Sequence, residues 1–467
     1  MKSLIFSHSH ILKISLFLIA LASSLLAQKP NIIYIITDDL GYGDISCYGQ
    51  KNFSTPNIDQ LAANGIRFTR HYSGATVCNP SRCALMTGKD TGHASIRGNG
   101  AFSIPNDEIT VAKITKAAGY NNAMIGKSCV TGNTQTPESV MKHGFDYFYG
   151  TTNHVDAHYR YPEFVYKNTD KILFPNNKLH SGTDYDLELY TTETLSYISK
   201  QTAEKPFLLI LSYPAPHASV VAREKELAAV RPSVKDEIQA PKEKHYTPTN
   251  EVKANFIGMM KYLDDSVGEI VSTLKKNNLL DNTLIIFTSD NGPHGEGGFK
   301  PDLLDSNGPL RGSKRDLYEG GIRVPFIASW PASIKPGQTT DHPSAFWDFL
   351  PSICELTNQS TPTDIQGISY VSTLLGKGNQ PRHPHLYWEH HEQNIRRAIQ
   401  VGDWKLVQTN LALPDKSTTE LFDLSKDISE ITDLAKRYPK KTAELLKLIK
   451  TARIPNTEFP VPVLETP

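Results

Sequence analysis

The chain has no excess of charge, no repeat, no low-complexity tract and few cysteines, and each absence removes a class of explanation. Lysine plus arginine number 49, the same as aspartate plus glutamate, so electrostatics offers no reason to expect a nucleic-acid or anionic-membrane partner. With 39% apolar and 21% charged residues among 467, the composition excludes disorder and fibrous arrays and suits a large core shared by two or three domains. Cys47, Cys78, Cys83, Cys129 and Cys354 form an odd and sparse set, so no disulfide framework is implied and at least one thiol is left over. Long apolar runs are also missing, with one exception. Lys2 and Lys13 precede Ile14 to Ala27, a length that fits an export signal over residues 1–27 better than a membrane span of about 20 residues. No membrane span is therefore expected, and the mature protein is placed in the periplasm or outside the cell.

What is present is a succession of short apolar runs alternating with helical patterns. Asn31 to Thr37, Asn121 to Ile125, Pro206 to Ser212, Thr283 to Thr288 and Val324 to Trp330 read as buried strands. Helices are expected from Pro56 towards Gly65, over Val111 to Ala118, Leu187 to Lys200 and Asn250 to Asn277, and around Phe346 to Leu356. Residues 128–186 and 218–249 read as loop excursions, the first forming the wall of a substrate pocket with His154, His158, Tyr159, Arg160 and Tyr161. Pro214 and Pro216 are expected to stop the third strand and present His217. The alternation predicts an α/β fold, a large doubly wound, mostly parallel but mixed sheet flanked by helices, over residues 28–380. Past Pro381 the texture changes to short strand-like pieces and a closing helix, which predicts a smaller α+β unit with an antiparallel sheet over residues 381–467.

In such a sheet, ligands collect beyond the carboxyl ends of the strands. Asp38, Asp39, Lys127, His217, Asp290 and Asn291 all follow expected strands, which puts them on one edge. Three carboxylates and a carboxamide are hard donors suited to Ca2+ or Mg2+, and Arg82, Lys127, Lys314 and His217 add positive charge, so a tetrahedral oxyanion ester fits. Cys78-Asn79-Pro80-Ser81-Arg82 reads as a loop entering a helix. Pro80 suits the first turn, the thiol lies at the helix N-terminus, and Arg82 lies one turn on along the same face. Singly, these groups have plainer readings, as a buried cysteine, turn-forming aspartates and a solvated lysine. Their convergence on one edge outweighs those readings.

The set resembles the type I sulfatases of the alkaline-phosphatase superfamily. Cys78-x-Pro80-Ser81-Arg82 is similar to their maturation signature. Asp38-Asp39, Ser289-Asp290-Asn291-Gly292, Leu317-Tyr318-Glu319-Gly320-Gly321 and Gly402-Asp403-Trp404-Lys405 stand in the family's order around it. The resemblance implies that a formylglycine-generating maturation enzyme converts Cys78 to Cα-formylglycine, whose hydrate attacks the sulfur of a sulfate ester. The covalent sulfate then leaves by elimination as the aldehyde re-forms. It implies one Ca2+ held by Asp38, Asp39, residue 78, Asp290 and Asn291. Arg82 and Lys127 would orient the nucleophile, and His217 and Lys314 would grip the sulfate and help to protonate the leaving oxygen. Lys127, His158, His217, His294, Arg311 and Lys314 are the substrate-binding candidates. The segments around His294 and Arg311 look most like bacterial sulfatases acting on glycans, so a sulfated carbohydrate, galactose-type sugars included, is the expected substrate.

One position departs. Where many sulfatases carry Gly-Lys-Trp-His-Leu-Gly, this chain has Gly126-Lys127-Ser128-Cys129-Val130-Thr131-Gly132, so Cys129 stands where a proton-accepting histidine is expected. Either a neighbour such as His154 or His158 replaces it, or turnover is slow, or the enzyme is weakened; the intact metal positions favour a replaced base. Two other functions stay open: a phosphonate or phosphodiester hydrolase using the same nucleophile, and a catalytically silent protein that binds sulfated glycans.

Overall fold

A computed structural model describes residues 29–133, 136–236, 245–392 and 394–461. The export signal expected over residues 1–27 lies outside the described residues, and no helix among them is long and apolar enough to cross a membrane.

The five expected strands are β1 (Asn31–Asp38), β3 (Asn121–Lys127), β7 (Phe207–Pro216), β8 (Thr283–Ser289) and β9 (Arg323–Ser329). They are joined by β2 (Ile66–Tyr72), β4 (Tyr147–Thr151), β5 (Phe164–Lys167), β6 (Asp170–Leu173), β10 (Gln338–Thr340) and β11 (Ser344–Ala345). The sheet order is β10-β2-β9-β8-β1-β7-β3-β4-β5-β6, with β11 beside β2. β8, β1, β7, β3 and β4 run parallel to one another; β5 and β6 add antiparallel pairings on one flank, and on the other β9 and β2 pair antiparallel before β10 and β11 lie parallel to β2. This is the doubly wound mixed sheet expected. Every residue of β1 is buried because its period-two side chains feed two cores. Ile33 and Ile35 join Leu209, Met260 and Leu263 under the Val252–Lys276 helix. Ile32, Tyr34 and Ile36 join Met86, Phe349 and Leu350 on the other face.

Three expectations change. Residues 128–186 are not loop-like throughout: they hold the Pro137–Lys142 helix and β4 to β6. The short aromatic strand β4 has its longer ladder parallel to β3, a partner that local pattern does not show, and a shorter antiparallel one to β5. Residues 218–249 likewise include the Glu224–Val230 helix. The prolines do not stop β7 at Ser212. Its pairing with β3 ends there, and an irregularity in its pairing with β1 carries it on to Asp38 opposite Pro216, so the prolines lie where one ladder remains. The amphipathic strand β2 is a further element that the apolar-run pattern misses.

The tail forms a separate antiparallel sheet in the order β12 (Leu386–His390), β13 (Arg396–Val401), β14 (Trp404–Thr409) and β15 (Thr418–Asp423). One face packs Tyr387, Ile399 and Leu406 against Leu445 and Ile449 of the Pro439–Thr451 helix. The other packs Trp388, Val407 and Phe422 against Tyr72, Leu317 and Trp347 of the main body. Buried Lys405 pins this seam, with Nζ 2.9 Å from Glu319 Oε1 and 2.9 Å from Glu430 Oε1.

Candidate active site

β1 ends at Asp38, β3 at Lys127, β7 just before His217, and β8 just before Asp290 and Asn291. Because these strands are parallel neighbours, their ends stand on one edge and the expected cluster forms there. Asp39 turns off β1 at φ 63°, and its N–H donates to Asp290 Oδ1 at 3.0 Å. The Cys78–Thr87 helix brings its first turn to the same place. Its N-cap, Val77, is extended and provides no side-chain cap. Ser81 Oγ donates to the Asp290 carbonyl at 2.5 Å, and Arg82 Nε donates to Asp290 Oδ2 at 2.9 Å. Two residues of the motif thus fasten the helix to the turn after β8. Gly292 lets that turn approach the next loop: its N–H donates to Gly321 O at 3.0 Å, and a Cβ would lie 1.9 Å from Gly320 O.

Cys78 is buried, and its Sγ donates to Asp38 Oδ1 at 3.1 Å. Burial and the Asp38 carboxylate push the thiol well above its ordinary pKa, so the encoded side chain stays protonated and is a poor nucleophile. On the other Asp38 oxygen, Lys127 Nζ donates at 2.5 Å. Burial raises the cost of the Asp38 charge, yet Lys127 and the other cations more than offset it and hold the carboxyl well below its usual range. Lys314 Nζ spends its three protons on Asp39 Oδ2 (2.8 Å), His217 Nε2 (2.9 Å) and Glu296 Oε2 (3.2 Å). His217 Nδ1–H donates to the Ala218 carbonyl at 2.5 Å, which leaves Nε2 to accept from Lys314. Burial, reinforced by Lys314, holds this imidazole well below its usual pKa and neutral.

Asp38, Asp39, Cys78 and Asp290 bring ligand atoms within 4.8 Å of one another. Asn291 Nδ2 donates to Asp39 Oδ1 at 2.6 Å, while Asn291 Oδ1 is buried with no hydrogen-bond partner. Burial and the neighbouring Asp38 push Asp290 up to about 7, as expected of carboxylates crowded without enough positive charge between them. The orphaned acceptor and the crowded carboxylates fit a hard divalent cation.

A pocket of about 110 Å³ opens over Cys78, Lys127, His217 and Lys314, with His154 and His158 in its wall. The His158 ring stacks on His217 at 4.4 Å. Two substrate-binding candidates are placed elsewhere. His294 lies behind His217, with Nε2 3.1 Å from Pro216 O and Nδ1 accepting from Glu296 N, so both ring nitrogens serve the backbone. Arg311 stacks over Tyr318 at 3.8 Å and donates to Glu430 O at 2.7 Å, so it braces the tail sheet and does not line the pocket. Pattern reasoning also missed lining residues, namely Asn99, Tyr246, Glu296 and Arg315. Glu296 and Arg315 adjoin His294 and Lys314 in sequence and could have been suspected. Asn99 and Tyr246 come from loops and carry no such signal. A larger cleft of about 430 Å³, bordered by Asn57, Gly268, Leu280 and Pro336, contains none of the candidate residues.

The fold and this edge define a class of ester hydrolase built around a strand-end carboxylate cluster and a helix-borne residue 78. The sulfatase family model matches residues 30–359, and the N-sulphoglucosamine sulphohydrolase C-terminal model matches residues 312–454; the chain belongs to the sulfatase family and is an enzyme of that kind. It is 31% identical to the N-acetylgalactosamine-6-O-sulfatase of Bacteroides thetaiotaomicron, covering 91% of this chain and 94% of that one. It is 30% identical to human steryl-sulfatase, covering 95% of this chain and 90% of that one. Among solved structures, Ps i-CgsB in complex with k-i-k-neocarrahexaose superposes with a TM-score of 0.75 at 26% identity, covering 91% of this chain and 92% of that one.

Proposed function

We propose that the protein removes sulfate from a sulfated carbohydrate, with Cys78 converted to Cα-formylglycine and a Ca2+ held by Asp38, Asp39, Asp290, Asn291 and residue 78. Relatives with sterol and sugar substrates are almost equally similar, so the pocket itself must decide the class. The observation that carries the reading is its polarity. Asn99, Asn133, His158 and Tyr246 surround Cys78, and Val155 is the one aliphatic side chain among the described residues lining the pocket. Such a wall offers partners to sugar hydroxyls and little to a sterol.

The conversion of Cys78 is supported by its surroundings. A thiol held protonated by burial and by Asp38 is inert, and it is the single soft donor in an otherwise oxygen-rich set, so an oxygen there completes a hard site. The modified residue supplies an oxygen nucleophile, and the cation supplies positive charge against the sulfate and the bond being broken. Lys127 and Lys314 flank the space over residue 78 and set two positive charges beside the sulfate. The proton between Lys314 Nζ and His217 Nε2 is the one available to the leaving oxygen.

His154 takes the place of the histidine replaced by Cys129. Cys129 Sγ lies under Arg82 Nη1 at 3.4 Å, and the residue is buried outside the pocket. His154 lines the pocket, and its Nε2–H donates to Ser128 O at 3.2 Å. In that tautomer Nδ1 carries the lone pair. Burial, with Lys127 and Arg82 nearby, keeps the ring well below its ordinary pKa and neutral, a state that can accept a proton.

The division into a sulfatase body over residues 28–380 and a tail unit over residues 381–467 is part of the proposal, supported by the two sheets. So is export with removal of residues 1–27. Sulfate release by matured enzyme from a panel of sulfated sugars, an aryl sulfate and a phosphodiester tests the function. Sugar sulfates should be preferred, and a clear diester preference would overturn the reading. Peptide mass spectrometry of residue 78 checks the aldehyde.

A further inference from the structure

Arg315 is a pocket cation already committed to protein carboxylates. It follows Lys314, holds φ at 77°, and donates its N–H to Thr76 O at 3.0 Å, two residues before Cys78. Its guanidinium lines the pocket beside Asn99. Nη1 donates to Glu296 Oε1 at 2.6 Å and Nε to Glu392 Oε2 at 3.2 Å. Glu392 belongs to the turn between β12 and β13 and also accepts the Asn99 N–H on Oε1 at 3.2 Å. From the same tail sheet, Arg396 donates to the Arg315 carbonyl. The turn therefore ties together two residues that line the mouth.

The other cations are equally committed. Arg82 pairs with Asp290, Lys127 with Asp38, and Lys314 with Asp39 and Glu296. A divalent cation on the aspartates would provide for one sulfate. A second anion on the sugar would meet Glu296 and Glu392 around Arg315, and like charges at such an interface are costly.

We propose that Glu392 sets the charge of the substrate: by occupying Arg315 it restricts the pocket to sugars whose single anion is the sulfate to be removed, and disfavours those bearing a second sulfate or a carboxylate nearby. This rests on the carbohydrate-sulfatase reading above. Glu392 acts through Arg315 and is a positioning residue. In Glu392→Gln the Arg315 guanidinium loses the negative charge of that partner, so a second anion meets less repulsion there.

Matched sugars test this: N-acetylgalactosamine 6-sulfate against its 4,6-disulfate, and glucosamine 6-O-sulfate against its 2-N,6-O-disulfate. Calorimetric affinities are measured on protein expressed without a maturation enzyme, which keeps Cys78 and leaves the sugars intact. Wild type should prefer at least one monosulfate by about tenfold, and Glu392→Gln should reduce that preference by about fivefold or more, with Glu392→Asp restoring part of it. In matured enzyme the same substitution should move KM for the disulfate more than kcat. Equal binding of the two members of each pair by wild type, binding of no sugar, or an unchanged ratio in folded Glu392→Gln overturns the proposal. An intact binding preference with no sulfate released by matured protein would count against the sulfatase reading and leave the role of Glu392 standing.

Discussion

Two buried clusters in this molecule each combine carboxylates with lysine and arginine and end differently. At the seam between the sheets, Glu319 and Glu430 share Lys405, Arg323 Nη1 closes on Glu319 at 3.2 Å, and Glu430 Oε2 accepts the Glu319 N–H at 2.6 Å. At the strand ends, Asp38, Asp39 and Asp290 crowd together, their cations lie to the sides, and Asn291 Oδ1 has no partner. A lysine in the middle makes the first cluster a structural rivet. The second has no such lysine among its ligand atoms, and the proposed function gives that place to an external cation. Carboxylate count alone does not separate them; the position of the compensating charge does.

That contrast can be broken in four ways, beginning with the largest effect. Asp290→Asn should lower kcat/KM by about 10³ or more, because it weakens the cation site that opposes transition-state charge. Added Ca2+ should raise the melting temperature of wild type more than that of the variant, and equal shifts would show that the strand-end cluster does not await a cation. Lys405→Met should cost about 3–5 kcal/mol in denaturant unfolding by leaving two buried glutamates without their lysine. A wild-type midpoint would remove the rivet from the comparison.

Third, His154→Gln should lower kcat by about 10², whereas Cys129→Ser should stay within about threefold; the reverse order in steady-state kinetics would return the proton-accepting role to Cys129. The smallest effect concerns pH. Burial outweighs Lys405 at Glu430 and pushes its pKa from 4.5 up to about 7. The folded state therefore holds a proton that the unfolded state releases. The associated stability is fully present below about pH 4.5 and is lost as pH rises towards 7, a change of about 1–3 kcal/mol. Glu430→Gln should flatten that part of the stability profile, and an unaltered slope would show that Glu430 does not titrate in this window.

Much of the site was legible before the fold was known, for a reason visible in β1, β3, β7 and β8. Each is an apolar run ending in a chemically marked residue, Asp38, Lys127, His217 or Asp290, and parallel strands collect their carboxyl ends on one edge. Arg311 and His294 were misjudged because a charged or aromatic residue near the motif looks the same in sequence whether it faces the pocket or braces the structure behind it. β4 and the continuation of β7 through Pro214 and Pro216 were obscured for a related reason: their ladders depend on partners distant in the chain.

By itself, the sequence determined which residue types exist to do chemistry, in what order, and that buried strands would present them together. Short-range periodicity and turn residues encode that much. Only the tertiary structure decided which charges neutralise one another. It placed Lys405 between two glutamates, left Asn291 Oδ1 without a partner, kept Cys78 a protonated thiol against Asp38, and brought Glu392 from the tail sheet to Arg315. Those outcomes depend on distances of a few ångströms between residues far apart in the chain, where Coulomb energy and burial vary steeply.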